Sequence, residues 1–261
     1  PRSTPKPSSA ASDVYKRQGS QRASSGFMKY LGDTFDLGAE SQQDAATSSA
    51  AFEAQLAAVQ DRLGEREIEL ESPQWRELAL QEGRLLVALE RGREAWQSGR
   101  HCFDRFCDAR LWAEAIEAAR IMFQSGEQDA LVALGHGVWL AVTFPVDPEL
   151  SVALLQDIIE ETPDDSDGAA VAAATAAYVV NLRSEGKEYD SLSFFTNQML
   201  GTVARRHSGI EDQEEFDQWI ERLELNDPAC FLPRLRNVVD VLVQDDWWID
   251  REAIQASLPV Q

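Results

Sequence analysis

The chain has 261 residues, 44% of them hydrophobic, with 45 acidic against 24 basic residues and a formal net charge of −21 at pH 7. A charge of this sign and size repels nucleic acid and anionic membranes, so it argues against both as partners and favours cationic partners or a saline environment. No run reaches the roughly 18 apolar residues that a membrane span needs. Three cysteines, an odd number, argue against a disulfide framework. We therefore expect a cytoplasmic protein.

The N-terminal residues do not read as part of a fold. Residues 8–18, SSAASDVYKRQ, are the in-frame translation of a sequencing-library adapter, and residues 1–7 fit its outer primer and index. We predict that residues 1–18 are a translated adapter artefact, that the gene came from an environmental DNA assembly of a prokaryote, and that the native start is Met28. Residues 19–47 are polar and are predicted to form a flexible segment.

From residue 48 onward, apolar residues recur at helical spacing, and side chains typical of N-caps precede most of these runs. Ser72-Pro73 and Asp147-Pro148 each join a capping side chain to a proline in the first turn, where the missing amide hydrogen costs nothing. In chain order, we predict helices over about residues 48–63, 72–99, 101–123, 129–143, 147–161, 166–183, 190–207, 212–223, 227–243 and 250–257.

Three of these helices carry a specific expectation. The helix over 129–143 is apolar nearly all round, which predicts a central position. The helix over 166–183 is rich in alanine, whose small side chain lets neighbouring backbones approach, so it is also predicted to be buried. Pro233 is predicted to restart or kink the helix in which it lies, because proline donates no backbone hydrogen bond.

Short connections and the lack of strand-like alternation predict an all-α fold of about nine helices, either an irregular helical bundle or a stacked αα-hairpin array. Residues 147–165, DPELSVALLQDIIEETPDD, resemble the second helix and closing proline of a tetratricopeptide repeat. The pattern occurs once, so the resemblance implies an array of that general kind. We predict a main helical domain over 48–209 and a C-terminal helical subdomain over 210–261 packed on it.

Residues that could ligate a metal ion are His101, Cys102 and Cys107, followed by His136 in the next helix. Cysteines five residues apart on a helix lie about 140° apart around its axis. Neither CxxC nor HExxH occurs, so we interpret the cysteines as small buried side chains and predict neither metal nor cofactor. No GxSxG, P-loop or GxGxxG motif follows a strand, so no catalytic residue is assigned and an enzyme is the less favoured class.

The segment Gly135-His136-Gly137 has two interpretations. In one, His136 is a titratable group in a pocket between helices, where it would serve an enzyme or a small-ligand carrier. In the other, which we favour, the glycines allow close helix packing and the histidine between them is satisfied by hydrogen bonds.

Two groups of residues are candidates for binding a partner. Trp247 and Trp248 are adjacent and cannot both face one core, and exposed tryptophan is enriched in binding hot spots. The alternative is a chain reversal held by tryptophan packing. The second group consists of arginines, for some of which the alternative is an interaction with the negative end of a helix dipole. Its members are Arg205, Arg206, Arg234 and Arg236.

These observations favour a non-enzymatic protein-binding or scaffold protein, or an accessory assembly protein, of a prokaryotic cytoplasm. Stacked helices expose concave faces suited to a protein or peptide partner. One alternative is a helical enzyme or small-ligand carrier with an interhelical pocket near His136. Another is an obligate homo-oligomer in which residues 169–177 pack across a subunit interface.

Overall fold

A computed structural model describes residues 29–31, 42–65 and 68–258, and the fold is that of the unit from Ala39 to Gln261. Its described residues form eleven helices and no strand, which confirms the predicted all-α class. In chain order these are α1 (Gln42–Leu63), α2 (Pro73–Ala88), α3 (Gly92–Asp108), α4 (Trp112–Gln124), α5 (Ala130–Thr143), α6 (Pro148–Glu161), α7 (Asp167–Arg183), α8 (Gly186–Ser208), α9 (Gln213–Arg222), α10 (Pro228–Val243) and α11 (Arg251–Ala256). The predictions for residues 1–18, and for Met28 as the native start, lie outside the described residues.

Six helices begin with the predicted capping bond from a serine or aspartate side chain, whereas Asp129, before α5, makes none. Ser72 Oγ accepts a hydrogen bond from the Trp75 amide at 3.2 Å, and Asp147 Oδ1 accepts one from Glu149 at 2.8 Å. Ser166, Asp212, Asp227 and Asp250 make the equivalent bonds at the starts of α7, α9, α10 and α11. Each bond satisfies an amide that has no partner within its own helix.

The region from residue 72 to 123 contains three helices, so the prediction of two is wrong. The extra breaks lie at Glu90 and Arg110, whose φ angles are 56° each. Both lie in Schellman motifs: the amide after each one donates to the carbonyl five residues earlier, from Arg91 to Leu86 O at 2.9 Å and from Leu111 to Phe106 O at 2.8 Å. Glycine normally occupies this left-handed position. Glutamate and arginine do not signal the end of a helix, so these two breaks could not be read from the sequence.

Gly99 is predicted to end a helix, but it lies in the middle of α3. A Cβ atom there would come within 2.7 Å of Met122 Cγ on α4. The glycine therefore permits close contact between two helices. Pro233 likewise does not restart its helix, because α10 runs continuously from Pro228 to Val243.

Successive helices pack on one another from α1 to α8, and α2 also contacts α4 while α6 contacts α8. The order breaks at α10, which returns to pack on both α5 and α7. The return of α10 makes the assembly a helical bundle with α5 and α7 at its centre.

The helix α7 is buried along its alanine-rich part. Residues 169–176 are all buried, and the neighbouring helices that cover them belong to the same chain: α6, α8 and α10. Small side chains let these three neighbours surround one helix closely.

Of the described helices, none combines the length and apolar character needed to cross a membrane.

Arg183, at the end of α7, joins three helices through its guanidinium group. Its Nη1 donates to Ala141 O at 2.8 Å and its Nη2 donates to Val142 O at 3.0 Å, so it satisfies carbonyls at the C-terminus of α5. Nη1 also lies 3.2 Å from Ser151 Oγ on α6. A planar fork of donors suits this role, and a cation is favoured at the negative end of a helix.

Glycine at the first Schellman position should stabilise the fold. Glu90 is exposed and holds a positive φ angle, which a residue with a Cβ atom adopts at a cost. We expect Glu90→Gly to unfold with a free energy about 1 kcal/mol higher than Glu90→Ala, because both variants remove the charge and only glycine removes the Cβ atom. Urea titration of the two variants measures the difference. Equal urea midpoints for the two variants would show that the positive φ angle at residue 90 costs no free energy.

Candidate functional site

Three consecutive residues of α5 face three different neighbours. A Cβ atom on Gly135 would lie 2.5 Å from Val243 Cγ2 of α10, and a Cβ atom on Gly137 would lie 2.5 Å from Leu154 Cδ2 of α6. His136 between them is fully buried. The glycines are therefore contact points between helices, which supports the packing interpretation of this segment.

Both ring nitrogens of His136 already have partners within the chain. Nδ1 lies 2.8 Å from Val132 O, one turn earlier in α5, and this bond requires a hydrogen on Nδ1. Nε2 accepts a hydrogen bond from the Trp248 amide at 2.9 Å. The neutral Nδ1–H tautomer satisfies both contacts at once. The ring therefore ties the segment after α10 to the centre of the bundle.

Aromatic rings surround this histidine. The Trp248 indole stacks on the imidazole with a centroid distance of 4.3 Å and an interplanar angle of 13°, and Trp247 contacts the same imidazole at 4.9 Å. We define the His136 cluster as the histidine and the rings that contact it or its tryptophans: Trp96, Phe103, Trp139, Trp247 and Trp248. Both adjacent tryptophans are half-buried, and both rings pack on the same histidine.

Two arginines stack on the tryptophans of the His136 cluster. The Arg100 guanidinium carbon lies 4.1 Å from the centre of the Trp248 ring system, and that of Arg251 lies 3.7 Å from that of Trp247. Cation–π attraction of this kind adds to the stacking. The residues after α10 are thus fixed by hydrogen bonding, ring stacking and two cations.

Burial lowers the pKa of His136 to about 4, and the positive charges of Arg100 and Arg251 act in the same direction. The hydrogen bond to Val132 O and the carboxylate of Asp246 oppose the shift. A second proton on Nε2 would also face the Trp248 amide, so two donors would meet. His136 is therefore neutral near pH 7, and the Nε2 lone pair with which it could accept a proton already accepts the Trp248 amide.

An apolar groove lies beside this cluster, between α5 and α10. Its walls are apolar side chains from both helices, and it encloses about 180 Å³. The wall residues are Val138, Trp139 and Val142 of α5 with Leu232, Leu235 and Val239 of α10. Arg236 also lines it, with a side chain that is 73% exposed. We call this feature the α5–α10 groove.

A second cavity, more polar, lies between α3 and α11 and has a volume of about 540 Å³. Trp112 and Trp248 contribute rings, while Arg100, Asp104 and Asp250 contribute charges of both signs. We call it the α3–α11 cleft. It adjoins the His136 cluster through Trp248.

The four predicted arginines have different partners. Arg206 donates to Ile159 O at 3.0 Å and to Thr162 O at 3.3 Å, so it satisfies the C-terminus of α6. Arg234 pairs with Asp167 at 2.9 Å. Arg205 is exposed and bonds Thr202 of its own helix, and Arg236 pairs loosely with Asp240 at 3.7 Å. Two of the arginines thus hold the fold together, and two remain accessible.

The potential metal ligands also separate. Burial raises the pKa of Cys102 and of Cys107 to about 12 each, so both remain thiols near neutral pH. His101 Nε2 accepts a hydrogen bond from Arg105 at 2.9 Å, and His136 is occupied as described. Within residues 29–31, 42–65 and 68–258, no three His, Cys, Asp or Glu side chains come together as a metal site would need.

No protein-family model, curated protein or solved structure matches this chain. The segment that resembles a tetratricopeptide repeat, residues 147–165, forms α6 and the turn that follows it. Function is therefore inferred from the geometry of the described residues.

The sequence singled out His136, Trp247 and Trp248 but did not predict that they meet. The histidine and Trp248 are 112 residues apart, and no local pattern links positions at that separation. Arg100, Arg251 and Trp139 were missed altogether. The one available signal was the spacing of Trp139 three residues after His136, which places both on one side of α5.

The buried histidine should make stability depend on pH. A folded-state pKa of about 4, below the unfolded value of 6.5, means that its contribution is complete above pH 6.5 and is lost as pH falls towards 4. We expect the wild-type free energy of unfolding to fall by about 3 kcal/mol more across this interval than that of His136→Gln, whose amide oxygen can still accept from Trp248 without titrating. Urea titrations of both proteins at several pH values measure this. Parallel curves for the two proteins would contradict a buried neutral imidazole.

Proposed function

We propose that this chain is a non-enzymatic protein-binding scaffold or accessory protein of a prokaryotic cytoplasm, and that it holds an apolar segment of its partner in the α5–α10 groove. The observation that supports the proposal is the lining of that groove, in which six of the eight side chains are valine, leucine or tryptophan and the other two are Thr143 and Arg236. Grooves of this kind bind amphipathic segments through apolar anchors spaced one helical turn apart.

Charge points to the chemistry of the partner. The chain carries a net charge of −21, so long-range attraction favours a basic segment over an acidic one. A segment with apolar residues on one face and lysine or arginine on its flanks meets both conditions. Trp139, half-buried in the wall, is the residue type that most often contributes strongly to binding.

The state of His136 weighs against the enzymatic alternative. An imidazole that serves as an acid or base must be able to bond to a substrate proton, whereas both nitrogens of His136 are bonded within the chain. The oligomeric alternative through residues 169–177 is also disfavoured, because the chain itself covers most of those side chains.

The groove predicts a specific loss of binding. We expect a peptide display library selected on the wild-type protein to yield peptides with apolar anchors and basic flanks. Val142→Glu places a carboxylate among the apolar walls of the groove, and we expect it to weaken binding of those peptides by about tenfold or more, since the carboxylate would lose water when an apolar anchor binds beside it. Fluorescence anisotropy with labelled peptides measures the affinities.

The matched control is the same substitution on an exposed valine of α10, Val241→Glu, which is 71% exposed and outside the groove lining. It changes the net charge identically, so it should leave the affinity unchanged. If both variants bind the selected peptides equally well, or if selection enriches no peptide, the α5–α10 groove is not the binding site.

The α3–α11 cleft favours a second candidate function, a carrier of a small ligand. Two tryptophans and charges of both signs suit a planar molecule with polar substituents. In a thermal-shift screen of such compounds, a true ligand should raise the melting temperature. Ala253→Trp, which fills the cleft, should abolish the rise, and Ala256→Trp on the same helix, outside the lining, should retain it. A compound panel with no effect, or an effect that survives Ala253→Trp, would remove this candidate.

A further inference from the structure

The outer face of α8 is open to solvent over its first half, and its second half borders the segment from Ile210 to Phe216. α8 contacts α6, α7 and α9, and these contacts bury Leu192, Phe195, Met199 and Val203. The opposite side is a stripe of side chains that lie within about 60° of Phe194 around the helix axis. We call it the α8 stripe, and it includes Lys187, Asp190, Phe194, Asn197, Gln198, Gly201 and Arg205.

The α8 stripe combines an exposed aromatic ring with a depression. Phe194 is 65% exposed, which is unusual for phenylalanine. Two turns later, a Cβ atom on Gly201 would meet only Arg205 Nη1, at 3.7 Å, so the space above that glycine is open. This space belongs to a cavity of about 390 Å³ whose other walls include Ile210 and Phe216. A ring such as Phe194 could contact the apolar walls of this cavity, while its other walls include the polar side chains of Asn197, Arg205, Glu211, Asp212 and Gln213.

Charges flank the ring and the cavity in opposite order. Asp190 lies one turn before Phe194, and it makes no ion pair within the described part of the chain. Arg205 lies one turn after Gly201, and its guanidinium group donates to the neutral Thr202 hydroxyl. Along α8 the order is therefore acid, ring, depression, base.

We propose that the α8 stripe is a self-association surface, on which a second copy of this chain packs its own α8 in antiparallel orientation about a two-fold axis between Asn197 and Gln198. The axis is fixed by the spacing of the stripe. It brings Phe194 of one copy over Gly201 of the other, and Asp190 of one copy against Arg205 of the other. The proposal is independent of the α5–α10 groove, which lies on other helices.

Two-fold symmetry makes every contact occur twice. The Phe194 ring of each copy enters the depression at Gly201 of the other copy, and an acid–base pair forms at each end of the interface. The amide side chains of Asn197 and Gln198 meet near the axis. Lys187 would then approach the segment after α8, where Glu211 and Asp212 are exposed. An acid–base pattern that is complementary only when the helices are antiparallel is the observation that selects a second copy over an unrelated partner.

The expected dimer is weak and reversible. α8 has 23 residues, which corresponds to a length of about 34 Å, so one helix pair and the cavity edges form an interface below the standard size. Sedimentation velocity of the full chain from about 1 µM to about 300 µM should show a monomer at the low end and a dimer at the high end. A chain that remains monomeric throughout would overturn the proposal.

The ring is tested first. Phe194→Ala should shift the dissociation constant upward by about tenfold or more, because each dimer loses two buried rings. Leu182→Ala removes an equally exposed side chain of α7, at 62% exposure, and should leave the constant unchanged. Both side chains face solvent in the monomer, so circular dichroism should show both variants folded. If the Phe194→Ala protein dimerises like the wild type, the α8 stripe is not the interface.

Charge reversal tests the antiparallel register. Asp190→Arg places two arginines together at each contact of its homodimer, and Arg205→Asp places two aspartates together, so each variant alone should be monomeric. An equimolar mixture should form a heterodimer. The arginine introduced at position 190 of one variant meets the aspartate introduced at position 205 of the other, and the second contact joins the two unchanged residues. Native mass spectrometry distinguishes the species.

Arg93→Asp is the control for the change in charge, because Arg93 is exposed on α3 and carries no ion pair in the described residues. It should dimerise like the wild type. Two variants that stay monomeric when mixed, or that each dimerise alone, would overturn the antiparallel register. A mixture that restores the dimer would support it, since folding defects in two separate chains cannot complement each other in this way.

Discussion

Close contact at one point of α5 determines where several other elements lie. Because successive residues of a helix point about 100° apart, Gly135, His136 and Gly137 face α10, the segment after α10, and α6 respectively. Any side chain on either glycine would collide with its neighbour at 2.5 Å. The α5–α10 groove is lined by the residues of α5 that follow this contact, and Trp248, which stacks on the histidine, lines the α3–α11 cleft.

The same contacts occupy both ring nitrogens of His136, the titratable residue at the centre of α5. A histidine in a crevice is a reasonable candidate for acid–base catalysis. The ring of His136, however, accepts a hydrogen bond from a backbone amide and donates one to a backbone carbonyl. The contribution of His136 is to hold the rings of Trp247 and Trp248 in position. The surfaces for which we propose a function are the α5–α10 groove, the α3–α11 cleft and the outer face of α8.

The sequence predicted the features that depend on neighbouring residues, such as the starts of helices. Serine or aspartate before a proline or an apolar run marks the start of a helix, and Ser72, Asp147 and Asp227 all make the expected capping bonds. It could not predict the breaks at Glu90 and Arg110, because tertiary packing overrides the preference of these residues for a negative φ angle. Nor could it join His136 to Trp248, since contacts across 112 residues depend on how whole helices stack.

The His136 cluster has a spectroscopic consequence. Four of the seven tryptophans, Trp96, Trp139, Trp247 and Trp248, lie in it, and two of them touch a guanidinium group. Indole emission responds to stacking, to nearby cations and to water. Detachment of the segment after α10 would change all three for these rings, while the bundle kept its helices. Intrinsic fluorescence and far-ultraviolet ellipticity would then follow different events, and the protein would carry a built-in reporter of its own C-terminal docking.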